Sequence, residues 1–265
     1  MSANLSLIYG FPFLLDRLMD QMDFMPFPVP WDASVRHFPP LQLVEGETAF
    51  HLRAVVPGIS FDDLHLTFAN GVLSLSGSIP FLPGRHLRRD RPIGPFKRDV
   101  RLPAPVRAEA ITSSANNGIL TVILPKTHGE ACSKPQKEGL SVRDRVFGKE
   151  TGKENARVLT VAPLIDMVEL SDGVHLYCNL PNATPEAVAV TLEGKRLHIR
   201  AISRLLPIQG KIHALEFCDI VYEGTVLLPS VDTTRIEAFL SNGLLRITMP
   251  FAPEAHLVRI PVTAG

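Results

Sequence analysis

The stretch FHLRAVVPGISFDDLHLTFANGVLSL, residues 50–75, returns 124 positions later as VHLYCNLPNATPEAVAVTLEGKRLHI, residues 174–199. The shift lays Pro181 on Pro57, Thr191 on Thr67 and Leu197 on Leu73. A second pair of segments keeps nearly the same offset. RLPAPVRAEAITSSANNGILTVILP (101–125) lies under LLPSVDTTRIEAFLSNGLLRITMP (227–250), with Asn242-Gly243 on Asn117-Gly118 and Pro250 on Pro125. Self-similarity at a fixed offset is read before any local pattern, because it says that one structural unit occurs twice.

Within each copy the rhythm is that of strands. Phe50, Leu52, Ala54 and Val56 alternate with Ala49, His51, Arg53 and Val55, and Pro57-Gly58 ends the run. Leu64, Leu66 and Phe68 share the next face, and Asn70-Gly71 supplies a two-residue hairpin turn into Val72–Ser76. No helical period interrupts these runs. The expected fold is all-β: two tandem immunoglobulin-like β-sandwiches, residues 40–127 and 158–252.

Three segments lie outside the copies. Residues 1–39 form an apolar arm rich in Phe, Met and Pro, with Phe11, Phe13, Leu14, Leu18, Met22, Phe24, Phe27 and Trp31 as its large side chains. Its spacing permits one short amphipathic helix over 12–22, stopped by Pro26, Pro28 and Pro30. An arm this short cannot bury its own apolar surface, so it packs on the molecule's own core or interfaces, or on another protein. Residues 128–157, HGEACSKPQKEGLSVRDRVFGKETGKENAR, are polar and lose the alternation, as a linker does. Residues 253–265 contain Ile260-Pro261-Val262, where proline favours an extended backbone that would project two β-branched side chains two residues apart.

Composition narrows the function. Lys plus Arg and Asp plus Glu both number 27, so the formal net charge is +0 and no global field recruits nucleic acid or anionic lipid. The basic run GRHLRRDR (84–91) lacks interleaved aromatics, so it reads as an exposed loop rather than a nucleic-acid site. No apolar run approaches a membrane span. Three cysteines without a CxxC pair read as reduced thiols, and the first residues lack a secretory leader, so a cytoplasmic protein is expected. Catalytic patterns are weak: GKETGKE (148–154) has the wrong glycine spacing for a phosphate loop. His51, His65, His175 and His198 stand singly on strands, as surface or edge histidines do, without metal-ligand spacing. Neither an enzyme, a metal nor a cofactor is expected.

The spaced pieces VVPGISFDDLHL, GVLSLSG, FKRDVRLP and NNGILTVILPK resemble the α-crystallin domain of small heat-shock proteins. The family's A-x-x-x-N-G-V-L signature stands as Ser113-x-x-x-Asn117-Gly118-Ile119-Leu120, and again as Ala238-x-x-x-Asn242-Gly243-Leu244-Leu245. Ile260-Pro261-Val262 resembles the family's C-terminal I-x-I/V motif. The resemblance implies an ATP-independent holdase that binds unfolding client proteins, takes part in a stress response and self-assembles as dimers or larger homo-oligomers. It implies that the arm binds clients. It also implies that the tail docks between edge strands, in a groove of Leu64, Leu66 and Phe68 with Ile111 and Ser113, or of Val188, Val190 and Leu192 with Ile236 and Ala238. The bland alternative is that the tail merely ends the last strand. Arg98 matches the family's interface arginine, and Arg88 and Arg89 lie in the loop that some members exchange between partners. Gly224 takes the place of Arg98 in the second copy, and the stretch matching 84–91 there is apolar. The two halves are therefore expected to differ in dimerisation. A second function class, a non-enzymatic co-chaperone or scaffold that docks one folded partner, would need neither arm nor tail.

Overall fold

A computed structural model of the chain describes residues 38–127 and 159–252. The apolar arm, the polar connection and the I-P-V tail therefore lie outside the described residues. In the first copy the strands are β1 (Leu41–Glu45), β2 (Ala49–Val55), β3 (His65–Ala69), β4 (Val72–Ile79), β5 (Arg85–Arg89), β6 (Gly94–Arg101), β7 (Thr112–Asn116) and β8 (Ile119–Pro125). The second copy supplies β9 (Leu159–Val161), β10 (Ile165–Leu170), β11 (Gly173–Asn179), β12 (Val188–Glu193), β13 (Arg196–Ser203) and β14 (Lys211–Leu215). It ends with β15 (Ile220–Leu227), β16 (Glu237–Ser241) and β17 (Leu244–Pro250). The only helical elements among the described residues are single turns of 3-10 helix. The all-β expectation is met.

Alternation places the cores. Phe50, Leu52 and Ala54 of β2 are buried, and the next strand in the sheet adds Leu120, Val122 and Leu124. From the opposite sheet, Leu73 and Leu75 of β4 meet them. The repeat reproduces this set as Val174, Leu176, Leu245, Ile247 and Met249, facing Leu197 and Ile199. Each such side chain contributes about 1.5–3 kcal/mol of burial, so two separate cores stabilise the molecule.

The sheets do not respect the boundary between the copies. One five-stranded sheet runs β14-β1-β2-β8-β7 and the other runs β16-β17-β11-β10-β5. Each sandwich thus takes its outermost strand from the other copy. β5 pairs antiparallel with β10, and β14 pairs antiparallel with β1. The two exchanges share one register, down to a shift between Leu43 and Val44 that recurs between Met167 and Val168. The remaining strands form the facing sheets, β3-β4-β6 and β12-β13-β15-β9.

Two sequence expectations change here. Residues 84–91 are not a free loop, because Arg85–Arg89 is a paired strand whose backbone groups bond to β10 of the same chain. Nor do the halves differ in this respect, since the apolar stretch of the second copy does the same for β1. Charge and apolarity in these stretches did not decide pairing. An unpaired sheet edge accepts either, because backbone hydrogen bonds form the ladder.

The Asn-Gly turns have two uses. Asn70 and Gly71 take φ of 51° and 75°, the left-handed pair that a two-residue hairpin turn requires. Asn117-Gly118 and Asn242-Gly243 take the same conformation but also touch each other's copy. The Gly58 N–H donates to the Asn242 carbonyl at 2.8 Å, and the Asn182 N–H donates to the Asn117 carbonyl at 2.7 Å. A Cβ on Gly243 would lie 2.6 Å from the Asn117 carbonyl oxygen, and one on Gly118 2.7 Å from that of Asn242.

Replacing Gly71 by Ala adds left-handed strain in open space, whereas Gly243→Ala adds the same strain and a backbone clash across the seam. Gly71→Ala is expected to cost about 1–2 kcal/mol in chemical denaturation. Gly243→Ala should cost clearly more, and equal losses would show that the close approach carries no weight.

Candidate functional site

The seam between the copies holds the chain's charged chemistry. At one end β14 reaches β1. The Leu41 N–H donates to Glu216 Oε2 at 2.9 Å, the Glu216 N–H donates back to the Leu41 carbonyl at 2.9 Å, and Arg98 donates to Glu216 Oε1 at 2.5 Å. Arg98 is on β6 and its side chain is 14% exposed, with Glu216 of the other copy as its counter-charge. Gly224, which takes its place in the second copy, lies under Pro163, and a side-chain carbon there would meet Pro163 Cδ at 3.0 Å. The missing second arginine thus goes with a close approach of the Pro163 ring.

At the other end of β1, Glu45 accepts from Lys126 Nζ at 2.8 Å and pairs with His213 Nε2 of β14 at 2.7 Å. Burial acts to raise the Glu45 carboxyl, but the hydrogen bonds from Lys126 and His213 outweigh it and hold the group below its ordinary value.

At the other end β5 reaches β10. Arg85 pairs with Glu169, and Arg88 with Asp90 at 2.7 Å, while Arg89 lies 5.4 Å over the Phe81 ring. Arg88 and Arg89 are therefore seam residues on the exchanged strand. Next to them Arg91 is buried, donating from Nε to Asn179 Oδ1 at 2.7 Å and lying 3.7 Å from Asp166. Burial pulls the Arg91 guanidinium below its ordinary value and the Asp166 charge opposes that. Nothing in the sequence singled out Arg91, Asp166 or Asn179. Only the alignment of Arg91 with Phe217 and of Asp166 with Gln42 distinguishes them.

The expected groove residues are half-buried at sheet edges. β3 ends one sheet of the first sandwich and β7 the other, while β12 and β16 do so in the second. Leu64, Leu66, Phe68 and Ile111 pack on the first core, and Val188, Val190, Leu192 and Ile236 on the second, each with part of its surface open. Ser113 and Ala238 are exposed. Other exposed apolar side chains include Leu206 at 81% and Phe239 at 64%. The arm residues from Phe11 to Trp31 and the tail residues Ile260, Pro261 and Val262 lie outside the described residues.

No group of three or more metal-ligating side chains occurs among the described residues. Burial pushes the Cys178 thiol up to about 12 and the Cys218 thiol up to about 11, so neither is a nucleophile at neutral pH. His175 corrects the expectation of a surface histidine: it is buried and bonds Asp172 Oδ1 at 3.0 Å. No described helix is long and apolar enough to cross a membrane.

Glu45 gives the seam a pH dependence with a definite sign. Its carboxyl is held below the ordinary 4.5, so its stabilisation is complete above that value and is lost as pH falls through the depressed one. Thermal melts from pH 6 downward should show a loss on the acid side that Glu45→Gln lacks. Parallel curves for the two proteins would remove Glu45 from the account.

Comparison with known proteins places this architecture. The model of the Hsp20/alpha crystallin family matches residues 42–138 and, separately, 166–263. A 16.0 kDa peroxisomal heat shock protein of Oryza sativa subsp. japonica is 34% identical over 134 residues, spanning 46% of this chain and 88% of its own. A probable 15 kDa heat shock protein of Leptospira interrogans is 35% identical over 106 residues, spanning 40% of this chain and 80% of its own. Among solved structures, heat shock protein 16.0 from Schizosaccharomyces pombe is 27% identical with a TM-score of 0.34, covering 37% of this chain and 94% of its own. With one family match on each sandwich, the chain belongs to the Hsp20/alpha crystallin family of small heat-shock proteins and carries the family domain twice in tandem.

Proposed function

We propose that the protein is an ATP-independent holdase that binds unfolding proteins and limits their aggregation. The observation that carries this reading is the set of half-buried apolar edges left open on both sandwiches. The seam consumes the edges of β1 and β10, but β3 and β12, which carry the apolar stripes, each keep one edge unpaired among the described residues, as the more polar β7 and β16 do. An extended apolar segment adds to such an edge through backbone hydrogen bonds, while alternate side chains enter the adjoining groove. Leu64, Leu66 and Phe68 on one edge, and Val188, Val190 and Leu192 on another, provide that spacing. The Phe- and Met-rich arm adds adaptable contact surface.

The same edges suit the chain's own tail. Ile260 and Val262 are two residues apart, which on an extended backbone would be about 6.6 Å, the spacing of alternate side chains on a strand. Tail and client then compete for one class of groove, which couples self-assembly to client binding.

Heating a labile client with and without the protein, in the absence of ATP, and following light scattering tests the holdase reading. Suppression is expected at equimolar chaperone, and its absence at that ratio and above would leave only a scaffold role. Deleting residues 1–38 should weaken suppression if the arm contacts clients, and full retention would assign binding to the edges. Light-scattering mass of the intact protein beside Ile260→Ala/Val262→Ala should show smaller assemblies for the variant. Identical masses would sink tail docking.

A further inference from the structure

The two ends of the seam are alike in backbone and unlike in buried side chains. A shift of 124 places Gln42 on Asp166 and Val55 on Asn179, while the exchanged strands match at a shift of 126, placing Arg91 on Phe217. Each exchanged segment therefore meets a different receptor. Arg91 enters a site built by Asp166 and Asn179. Asp166 Oδ1 accepts the backbone N–H of Asp90 at 2.9 Å and of Arg91 at 3.0 Å, and the Asp166 and Arg91 side chains are 1% and 5% exposed. At the equivalent place Phe217 is buried and lines with Val55 an apolar cleft that Asn179 also borders, and Gln42 is buried with no hydrogen-bond partner for its Oε1 among the described residues.

We propose that these six residues form a pairing code that restricts strand exchange to one first-type and one second-type sandwich. A pairing of two first-type sandwiches would bury the Arg91 guanidinium against Gln42 and Val55, without a carboxylate. A pairing of two second-type sandwiches would bury Asp166 against Phe217, without a cation. Two-fold symmetry repeats the fault at both ends of either like pair. Removing a partner from a buried ion pair costs far more than the intact pair contributes, so the cluster acts through the pairings it forbids. The outermost register partners carry no such information, because Arg85 faces Glu169 as Lys211 faces Glu45, whereas the Arg98–Glu216 and Glu45–His213 contacts, with Gly224 and Leu87 as the counterparts of Arg98 and His213, add to the difference between the ends.

Cysteine cross-linking of the full chain separates the pairings, in a background of Cys132→Ser, Cys178→Ala and Cys218→Ala. Arg85→Cys/Glu169→Cys reports unlike exchange, since the two residues are register partners. Arg85→Cys/Glu45→Cys reports exchange between the first sandwiches of two chains, because Glu45 is the counterpart of Glu169. Only the first pair should form a disulfide in the parent code. The code is then erased in two opposite ways: by Arg91→Phe/Asp166→Gln/Asn179→Val, or by Phe217→Arg/Gln42→Asp/Val55→Asn. Either set should raise the disulfide-linked dimer of the Arg85→Cys/Glu45→Cys reporter at least tenfold over the parent, and the second set decides if the first does not fold. The proposal is overturned if the parent cross-links in that reporter as readily as the erased chains. It is equally overturned if neither erased chain gains the dimer while Arg85→Cys/Glu169→Cys still closes in both.

Discussion

The open edges of β1 and β10 are the constraint on which the rest of the molecule depends. A strand ending a sheet presents a row of unpaired backbone donors and acceptors, and a sandwich with such an edge is a template for association. Here each edge is covered by the strand that the other copy extends. Because both partners belong to one chain, pairing pays no translational cost of association. The tight approach of the two Asn-Gly turns, the Arg98–Glu216 pair and the Glu45–His213 contact all exist because that exchange brings the copies together. Without it, neither sheet would have five strands.

The exchange also decides which surfaces remain for other proteins. With β1 and β10 covered, the unpaired edges among the described residues belong to β3, β6, β7, β9, β12 and β16 and to the outer sides of the exchanged β5 and β14. Of these, β3 and β12 carry the half-buried apolar stripes. The backbone therefore divides the edges into a closed set that defines the molecule and an open set suited to transient partners. The seam is symmetric in register yet asymmetric in chemistry, with a buried ion pair at one end and an apolar contact at the other. Duplication accounts for the common register, and divergence of side chains along the seam, Arg98 against Gly224 among them, accounts for the difference.

Much of this was legible in the sequence. The alternation of Phe50, Leu52 and Ala54 names a core face because side chains of a strand alternate between its two faces. Asn-Gly at three places announces turns that few other residue pairs tolerate. The exchanged strands were harder to see. RHLRR and KIHAL carry little apolar alternation, because their stabilisation comes from the ladder they complete rather than from their own burial. His175 resembled its solitary counterparts on other strands, and only folding placed it against Asp172 in a buried setting.

By itself the sequence determined the all-β class, the duplication and the position of both cores, since these follow from local alternation and from a repeat at one offset. It also placed Arg98 at the position of the family's interface arginine. The tertiary structure decided that Arg98 pairs with Glu216, that the two copies of one chain complete each other's sheets, and that Arg91 meets Asp166 and Asn179. Such contacts join residues 75 to 175 positions apart, and no periodicity within a strand encodes which distant edge that strand will meet.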